Sequence, residues 1–351
     1  MNVLNKIIQK KKQINWILLY TLVPIVLIGL TVFLAQKPRV YYLSPTGSNA
    51  GACKKFSPCK SFSKVISLVK PGEIIHFTEG VYSEPVFIDK SGTEDQPITI
   101  LGDNAILQSM VIAGNYVTVS GIEVFASESH GIKALGHYII IENSKVHHSV
   151  TENGYGPECN TENSSNGWGS GIKVERGAKH IIIRNNEVYE NCGEGIAATM
   201  GEFVTIVNNI SRDNYSVNIY IDNSSQIIVD GNQVLCTGNG YLRDGRRATG
   251  IALGEEYYDG WGAQRGDNSI INNIIDGCYE GISSWEPDVE GGVEKNLLIQ
   301  NNTVINGTYQ SISLYWINQD VRVEDNIVYT PLNIEFTEGV TLSNNVIAPG
   351  N

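Results

Sequence analysis

A chain of 351 residues with 42% hydrophobic and 18% charged residues can bury a large core, in one elongated domain or in two compact ones. Its net charge of −12 at pH 7 argues against a nucleic-acid partner, because phosphate binding needs a basic stripe and the sequence shows none. The acidic balance is compatible with cation binding, or with solubility alone.

The N-terminal segment is typical of a membrane anchor. Residues 1–12 contain four lysines, and residues 13–36 carry no formal charge over a length that can cross a bilayer as a helix. The lysines predict a cytoplasmic N-terminus, so the chain from residue 37 onward is expected outside the cytoplasm. The alternative is a signal peptide cleaved from a secreted protein, although bulky Phe33 close to Ala35 fits the small-residue cleavage pattern poorly.

Residues 37–95 are predicted to form an N-terminal cap and the first strands. Cys53 and Cys59 bracket a loop rich in turn formers, and we predict a disulfide bond between them. Apolar residues at helical spacing predict an amphipathic helix over residues 61–70. Strands are predicted to follow at residues 74–77 and 86–88.

Residues 96–351 carry an internal repeat, clearest in the stretch HIIIRNNEVYENCGEGIAAT at residues 180–199. An asparagine separates two short strand-like runs there, and it recurs at intervals of 23, 23, 41, 29, 24 and 19 residues. The members of this asparagine column are Asn186, Asn209, Asn232, Asn273, Asn302, Asn326 and Asn345. A period near 23 with longer excursions is typical of a solenoid that carries insertions on one side.

A second column lies at the other end of each repeat. Its members are Gly131-Ile132, Gly171-Ile172, Gly195-Ile196, Asn218-Ile219, Gly250-Ile251, Gly281-Ile282 and Ser311-Ile312. Alternation with a period of two, β-branched residues and Asn/Gly turns predict strands rather than helices. The stacked asparagines are expected to turn inward at a left-handed bend and to bond from coil to coil, rather than to bind a ligand.

The four remaining cysteines are less informative, and no Cys-x-x-Cys metal spacing occurs. Cys192 and Cys278 share one position of the repeat at a separation of about 14 Å, too far for a bond, and we interpret both as small buried hydrophobes. A bond between Cys159 and Cys236 stays open.

The cap helix followed by the repeat, over residues 41 to about 348, resembles right-handed parallel β-helix proteins of the pectate-lyase-like superfamily. The resemblance implies an all-β fold, a single-stranded right-handed solenoid of about ten coils whose open first end is covered by a short helix. It also implies action on polysaccharides, without selecting a subfamily, since the Gly-His-Gly motif of polygalacturonases and the Asp-Pro-His-Asp motif of mannuronan epimerases are missing from the sequence.

Four insertions, at residues 147–170, 236–249, 255–267 and 286–293, are predicted to wall a groove beside the isoleucines of the second column. The outward floor positions are Lys173 and Glu175, Ala197 and Thr199, Tyr220 and Asp222, Ala252 and Gly254, Ser283 and Trp285, and Ser313 and Tyr315. Glu194 and Glu280 each directly precede a glycine of the second column. The walls add Trp168, Arg243, Arg246, Arg247, Glu255, Glu256, Tyr257, Tyr258, Trp261 and Arg265.

Aromatic rings beside carboxylates and arginines suggest a carbohydrate surface, because rings stack on sugar faces and charged groups fix hydroxyls or uronates. The predicted substrate-binding residues are Tyr220, Trp285, Tyr315, Trp261, Arg246 and Arg247. Aromatic ladders also stabilise stacked strands without any ligand, so a non-catalytic glycan-binding or surface structural protein is the alternative.

Two reactions fit this pattern. In β-elimination, Lys173 would be the base, and Arg246 or Arg247 would neutralise the uronate. Calcium is a candidate cofactor of that reaction, with Glu175, Glu194 and Asp222 as its candidate ligands.

In hydrolysis, Glu175 and Asp222 would flank the glycosidic bond, since their backbones lie two coils and roughly 9.6 Å apart, which favours an inverting pair. The sequence therefore predicts a membrane-anchored, extracytoplasmic β-helix protein acting on polysaccharide, with Lys173, Glu175, Glu194 and Asp222 as its candidate catalytic residues.

Overall fold

The computed structural model describes residues 37–150, 159, 168–262, 266–285, 294–315, 317–330, 332–334 and 339–348. The predicted cytoplasmic segment 1–12 and transmembrane span 13–36 lie outside these ranges. Within the ranges, no helix has the length and apolar character that crossing a bilayer requires. The chain divides into residues 1–39 and a second unit, Val40–Asn351, which contains the strands and the helix described here.

A helix, α1, spans Phe62–Leu68, within the predicted range. Phe62 and Val65 are its buried residues, and the Phe62 ring stacks on Phe77 with 5.8 Å between ring centroids. The Tyr41 hydroxyl donates to the Leu68 carbonyl at 3.2 Å, so the helix is tied to the first strand. Its role as a cover for the first coil stays a prediction.

Each turn of the solenoid contributes up to three strands, and strands of successive turns pair in parallel. The first strands pair in the order β1 (Val40–Leu43), β2 (Ile74–Phe77), β5 (Ile98–Leu107), β7 (Val117–Phe125), β9 (Ile139–Glu142), β12 (Lys179–Arg184), β15 (Glu202–Val207), β18 (Ile228–Asp230), β21 (Ser269–Ile271), β25 (Leu298–Gln300), β29 (Val321–Glu324) and β32 (Val340–Ser343). The second strands pair in the order β3 (Gly80–Tyr82), β5, β7, β10 (Lys145–His147), β13 (Glu187–Tyr189), β16 (Ile210–Arg212), β19 (Gln233–Leu235), β22 (Ile274–Asp276), β26 (Thr303–Ile305), β30 (Ile327–Val328) and β33 (Val346–Ile347). Because β5 and β7 run through both rows, the described part of the chain has these 21 strands in one continuous sheet.

The third strands form a separate sheet, which we call the groove sheet. Its order is β4 (Val86–Ile88), β6 (Met110–Ile112), β8 (Ile132–Ala134), β11 (Ile172–Val174), β14 (Ile196–Thr199), β17 (Val217–Asp222), β20 (Thr249–Gly254), β23 (Glu280–Ser284), β27 (Gln310–Leu314) and β31 (Asn333–Ile334). A short pair, β24 (Glu294–Lys295) with β28 (Ile317–Gln319), stands apart. Ten groove-sheet strands among the described residues agree with the predicted number of coils.

The register of the groove sheet confirms the predicted isoleucine column. Ile172 pairs with Ile132 on one side and Ile196 on the other, and the column continues to Ile312 with every isoleucine fully buried. The outward residues consequently fall into rows, such as Lys173, Ala197, Tyr220, Ala252 and Ser283.

The asparagine column forms a continuous ladder inside the solenoid. The backbone N–H and the Nδ2 of Asn209 both donate to Oδ1 of Asn232, at 2.9 and 3.1 Å, and the same pair of bonds joins each member to the next from Asn186 to Asn345. Nδ2 also donates back to a carbonyl of the preceding coil, as from Asn232 to Ile206 at 2.9 Å. The left-handed residue is the one before each ladder asparagine, such as Asn208 with φ of 54°, so the bend and the ladder use neighbouring residues.

Three disulfide bonds link all six cysteines. Cys53–Cys59 is confirmed, and the others are Cys159–Cys192 and Cys236–Cys278. The interpretation of Cys192 and Cys278 as unpaired hydrophobes was therefore wrong, as was the option of Cys159 with Cys236. Cys236 and Cys278 follow ladder asparagines of adjacent coils, which brings their Cα atoms to 4.7 Å, about the distance between paired strands.

We expect Asn232→Ala to lower the free energy of unfolding by about 3 kcal/mol, because buried donors and acceptors on both adjacent coils lose their partners. The midpoint of denaturant unfolding measures the change. The exposed Asn239→Ala is the control and should shift the free energy of unfolding by less than about 0.5 kcal/mol. Equal effects of both substitutions would contradict a stabilising role for the ladder.

Candidate functional site

A cavity of about 350 Å³ opens on the outward face of the groove sheet. Its floor comes from β11, β14 and β17, and its walls come from the insertions that precede β11 and that flank β20 on both sides. The lining residues are Trp168, Lys173, Glu194, Thr199, Ser216, Val217, Tyr220, Arg243, Glu256, Tyr258 and Trp285. A groove thus exists beside the isoleucine column, and floor and wall residues predicted from the sequence line it.

Small residues shape the floor around Tyr220. Ala197 and Ala252 flank it in register on the neighbouring strands, and the Trp285 ring packs against it with 5.3 Å between centroids. A Cβ on Gly254 would lie 2.1 Å from the Tyr220 hydroxyl oxygen. Glycine is therefore required at position 254 for the Tyr220 side chain to lie as it does.

A hydrogen-bonded network joins the floor to the insertion after β20. The Tyr258 hydroxyl lies 2.6 Å from Oδ2 of Asp222 and 3.1 Å from Oε2 of Glu256. The Glu256 amide donates to Oδ1 of Asp222 at 3.1 Å, and the Tyr220 hydroxyl donates to Oε1 of Glu256 at 2.8 Å. Asp222 is fully buried beneath this network and is not among the lining residues.

Burial dominates the protonation of this network. It raises the pKa of Asp222 to about 7, and the charges of Glu256 and Glu255 add to the rise, while hydrogen bonds from Tyr258 and from the Glu256 amide oppose it. Burial and the nearby Asp222 charge also raise the pKa of the Tyr258 and Tyr220 hydroxyls above the ordinary value. Asp222 therefore exchanges its proton near neutral pH, and the two tyrosines stay protonated there.

Glu194 lies at the opposite wall. The Trp168 indole N–H donates to its Oε1, and the Ser170 hydroxyl donates to its Oε2 at 2.7 Å. Arg243 lies over the Trp168 ring at 5.1 Å from its centroid and donates to the Ser216 hydroxyl at 3.0 Å. Contacts on two sides fix the guanidinium at the mouth of the cavity.

Lys173 lies on β11 and Glu175 directly follows that strand, but the two side chains have different surroundings. Lys173 lines the cavity, whereas Glu175 forms an ion pair of 3.0 Å with Lys133 of the preceding coil. Burial alone would raise the pKa of Glu175, but the hydrogen bond and charge of Lys133 lower it overall. Burial and the charges of Lys173 and Lys133 lower the pKa of the neighbouring His130 to about 3, so this imidazole is neutral at physiological pH.

The other predicted binding residues lie outside this cavity, apart from Tyr220 and Trp285. Arg246 and Arg247 line an adjoining cavity of about 290 Å³ with Tyr279 and Glu280. The Arg246 guanidinium lies 5.1 Å from the Tyr279 ring centroid, and Arg247 donates to the Gly277 carbonyl at 3.3 Å. The two cavities share Ser216, Val217, Arg243 and Trp285, so they form one groove.

Trp261 and Tyr315 are further from the centre. A Cβ on Gly177 would lie 3.1 Å from the Trp261 ring, so that ring covers the turn after β11. The Tyr315 hydroxyl accepts a bond from Asn333 at 2.8 Å, near the last strands of the groove sheet. Arg265 and residues 286–293 lie outside the described ranges.

The three candidate calcium ligands do not meet. Glu175 pairs with Lys133, Glu194 with Trp168 and Ser170, and Asp222 with Tyr258. In the part of the chain that the structure describes, no three His, Cys, Asp or Glu side chains come close enough together to hold a metal ion.

Sequence reasoning placed Arg243, Arg246 and Arg247 in the groove walls but named only Arg246 and Arg247 as substrate-binding residues. Arg243 and Arg246 exchange two backbone hydrogen bonds of 2.9 Å across Asp244-Gly245, whose φ angles are 52° and 74°. An Asp-Gly pair between two matching residues is a signal for a tight hairpin, which would have placed both arginines side by side. The roles of Tyr258 and Glu256 had no comparable signal, because they depend on how an insertion folds onto the floor.

The pKa of Asp222 makes stability depend on pH. Because the folded state holds a proton that the unfolded chain releases above its ordinary pKa of 3.8, stability should fall as pH rises from about 4 to about 7 and then level off. In Asp222→Asn, the decrease in the free energy of unfolding over this pH range should be smaller by about 4 kcal/mol. Denaturant unfolding at pH values from 4 to 8 measures both curves, and parallel curves for the two proteins would contradict the burial of an acidic proton.

Comparison with known proteins agrees with the fold. A curated relative, pectate lyase L of Dickeya dadantii (strain 3937), is 23% identical over 177 residues, which are 44% of this chain and 37% of the lyase. The uncharacterized protein YwoF of Bacillus subtilis (strain 168) is 24% identical over 311 residues, which are 78% of this chain and 63% of YwoF. The chain thus spans less than two thirds of either relative.

A solved structure of pectate lyase Pel9A covers 90% of this chain and 79% of its own at a TM-score of 0.57 and 16% identity, a likeness of fold alone. The family model described as right handed beta helix region matches residues 108–253 and 157–328, together more than half of the sequence. The chain therefore belongs to the right-handed β-helix family, with a fold like that of the pectate lyases.

Proposed function

We propose that this protein is an extracytoplasmic enzyme that cleaves a uronate-containing polysaccharide by β-elimination. One observation carries the proposal: Lys173 and Arg243 line the same cavity as the Tyr258 hydroxyl. A base, a cation for the substrate carboxylate and a proton donor are the groups that such a reaction needs.

The reaction uses these groups in sequence. Arg243, held by Trp168 and Ser216, binds the uronate carboxylate and neutralises its charge. The proton beside that carboxylate is then acidic enough for the Lys173 amine to remove it. The Trp285 ring offers a flat face to a neighbouring sugar.

The relatives support this class of substrate. Pectate lyase L and Pel9A are both lyases by name, but they share only 23% and 16% identity with this chain. The reaction of this chain is therefore inferred from its own side chains, with the shared fold as background.

The compartment is part of the proposal. Three disulfide bonds among the described residues favour an oxidising environment. We propose that residues 13–36 anchor the protein with its β-helix outside the cytoplasm, and the alternative is secretion after cleavage.

Hydrolysis is the second candidate reaction, and one observation favours it: two carboxylates, Glu194 and Glu256, line the cavity. The pair considered from the sequence, Glu175 and Asp222, does not line it. A third candidate is glycan binding without chemistry, which the aromatic residues Trp168 and Trp285 would support.

Incubation of the full chain with separate uronate and neutral polysaccharides distinguishes the three. β-Elimination produces unsaturated ends that absorb ultraviolet light, together with new reducing ends. Reducing ends without that absorbance would indicate hydrolysis, and binding without any product would indicate a binding protein. Either result would overturn the proposal.

Lys173→Ala should lower kcat by at least about 100-fold, because it removes the base. Arg243→Ala should lower kcat/KM by at least about 10-fold through the loss of a charge-assisted contact. Lys179→Ala is the control, since Lys179 begins β12, the first strand of the following turn, and pairs with Glu202 instead. A Lys173 variant as active as the Lys179 variant would show that the base is another residue.

A further inference from the structure

We propose that Tyr258 donates the proton to the departing sugar oxygen and that buried Asp222 holds the proton that replaces it. The proposal rests on the β-elimination proposed above and adds to it a proton relay, in which Tyr258 contacts the substrate and Asp222 acts through Tyr258.

The hydrogen-bond geometry requires an extra proton. The single Tyr258 hydroxyl lies within hydrogen-bond distance of two carboxylates, 2.6 Å from Asp222 and 3.1 Å from Glu256. If both carboxylates were ionised, this hydroxyl could donate to only one of them, and its oxygen lone pairs would face the other. A proton on Asp222 satisfies every contact, because Asp222 then donates to Tyr258 and Tyr258 donates to Glu256.

The remaining bonds agree with that order. Glu256 accepts at its other oxygen from the Tyr220 hydroxyl, and Asp222 accepts at its other oxygen from the Glu256 amide. Both bonds suit an ionised Glu256 beside a protonated Asp222. The chain of donors therefore runs from Asp222 through Tyr258 to Glu256.

The surroundings of Asp222 favour its protonated form. Asp222 is fully buried, and among the described residues of the insertion after β20 the charges of Glu256 and Glu255 raise its pKa. Its own strand adds the neutral hydroxyl of Tyr220. A pKa of about 7 for Asp222 is consistent with a proton that is held at neutral pH and can be released.

The elimination step balances with this relay. Lys173 takes the proton beside the uronate carboxylate, the electron pair left behind forms a carbon–carbon double bond, and the bond to the departing oxygen breaks. That oxygen takes the Tyr258 proton while Tyr258 takes the Asp222 proton. After product release Lys173 returns its proton to water and Asp222 regains one from water, so no oxidant or reductant is needed.

Tyr258→Phe tests the donor. We expect kcat to fall at least 100-fold with KM changed less than threefold, whereas Tyr138→Phe, whose side chain is 44% exposed beside β9 of the 21-stranded sheet, should keep full activity. A substrate with a nitrophenolate leaving group should restore most of the lost rate, because that group departs with little protonation. A merely structural role for Tyr258 would give no such recovery.

Asp222→Asn tests the source of the proton. The wild-type pH profile of kcat should bend downward near pH 7, where Asp222 loses its proton, and this bend should be absent from the Asp222→Asn variant, which has a low rate throughout. Infrared spectra at pH 6 give a readout without substrate: the carbonyl stretch of a protonated carboxyl should be present in wild type and Tyr138→Phe and missing from Asp222→Asn.

The two proposals fail in different ways. If wild type releases unsaturated ends and Tyr258→Phe matches it, the relay is wrong and β-elimination stands. If wild type releases none, β-elimination and the donor role of Tyr258 both fail. If the wild-type infrared spectrum has no protonated carboxyl band that is lost in Asp222→Asn, the proposal that Asp222 holds a proton is wrong, whatever the activity.

Discussion

The asparagine ladder is the constraint on which the rest of the structure depends. Each ladder asparagine satisfies backbone groups of the coils before and after it, and a slip of one residue would leave those buried groups unpaired. The ladder therefore fixes the register of each coil against the next. With the register fixed, residues of similar position stack in rows, and the outward row from Lys173 to Ser283 becomes the floor of a groove.

A regular floor becomes a site only where the rows are interrupted. Alanines on both sides of Tyr220 and the glycine at position 254 open a space that larger residues would fill. The insertion after β20 closes over this space and places Tyr258 and Glu256 above Asp222. The regular coils thus position Asp222, and one irregular segment supplies Tyr258 and Glu256, which contact one another above it.

The difference between regular coils and irregular insertions explains how much of the structure the sequence could predict. The periodic features, namely the strands, the two columns and the floor residues, follow from spacing alone, because each coil repeats the same burial. The cavity lining depends on contacts between insertions and floor, which have no period, so Asp222 was placed correctly on its strand without any indication that Tyr258 covers it. The cysteines show the same limit: Cys192 bonds to Cys159, which lies inside an insertion and belongs to no column.

The charge distribution bears on how an acidic protein would bind the acidic substrate proposed above. A net charge of −12 would repel a polyuronate over most of the surface, and repulsion of this kind slows association. Arginines are available to a uronate in both cavities, because Arg243 lines the central one and Arg246 lines the adjoining one. Glu194 and Glu256 also line the central cavity, so its charge is mixed. A protonated Asp222 removes one negative charge from beneath that cavity near neutral pH. In the proposed reaction, burial of that carboxyl therefore serves binding and proton supply together, and both effects would weaken in the same pH range above about 7.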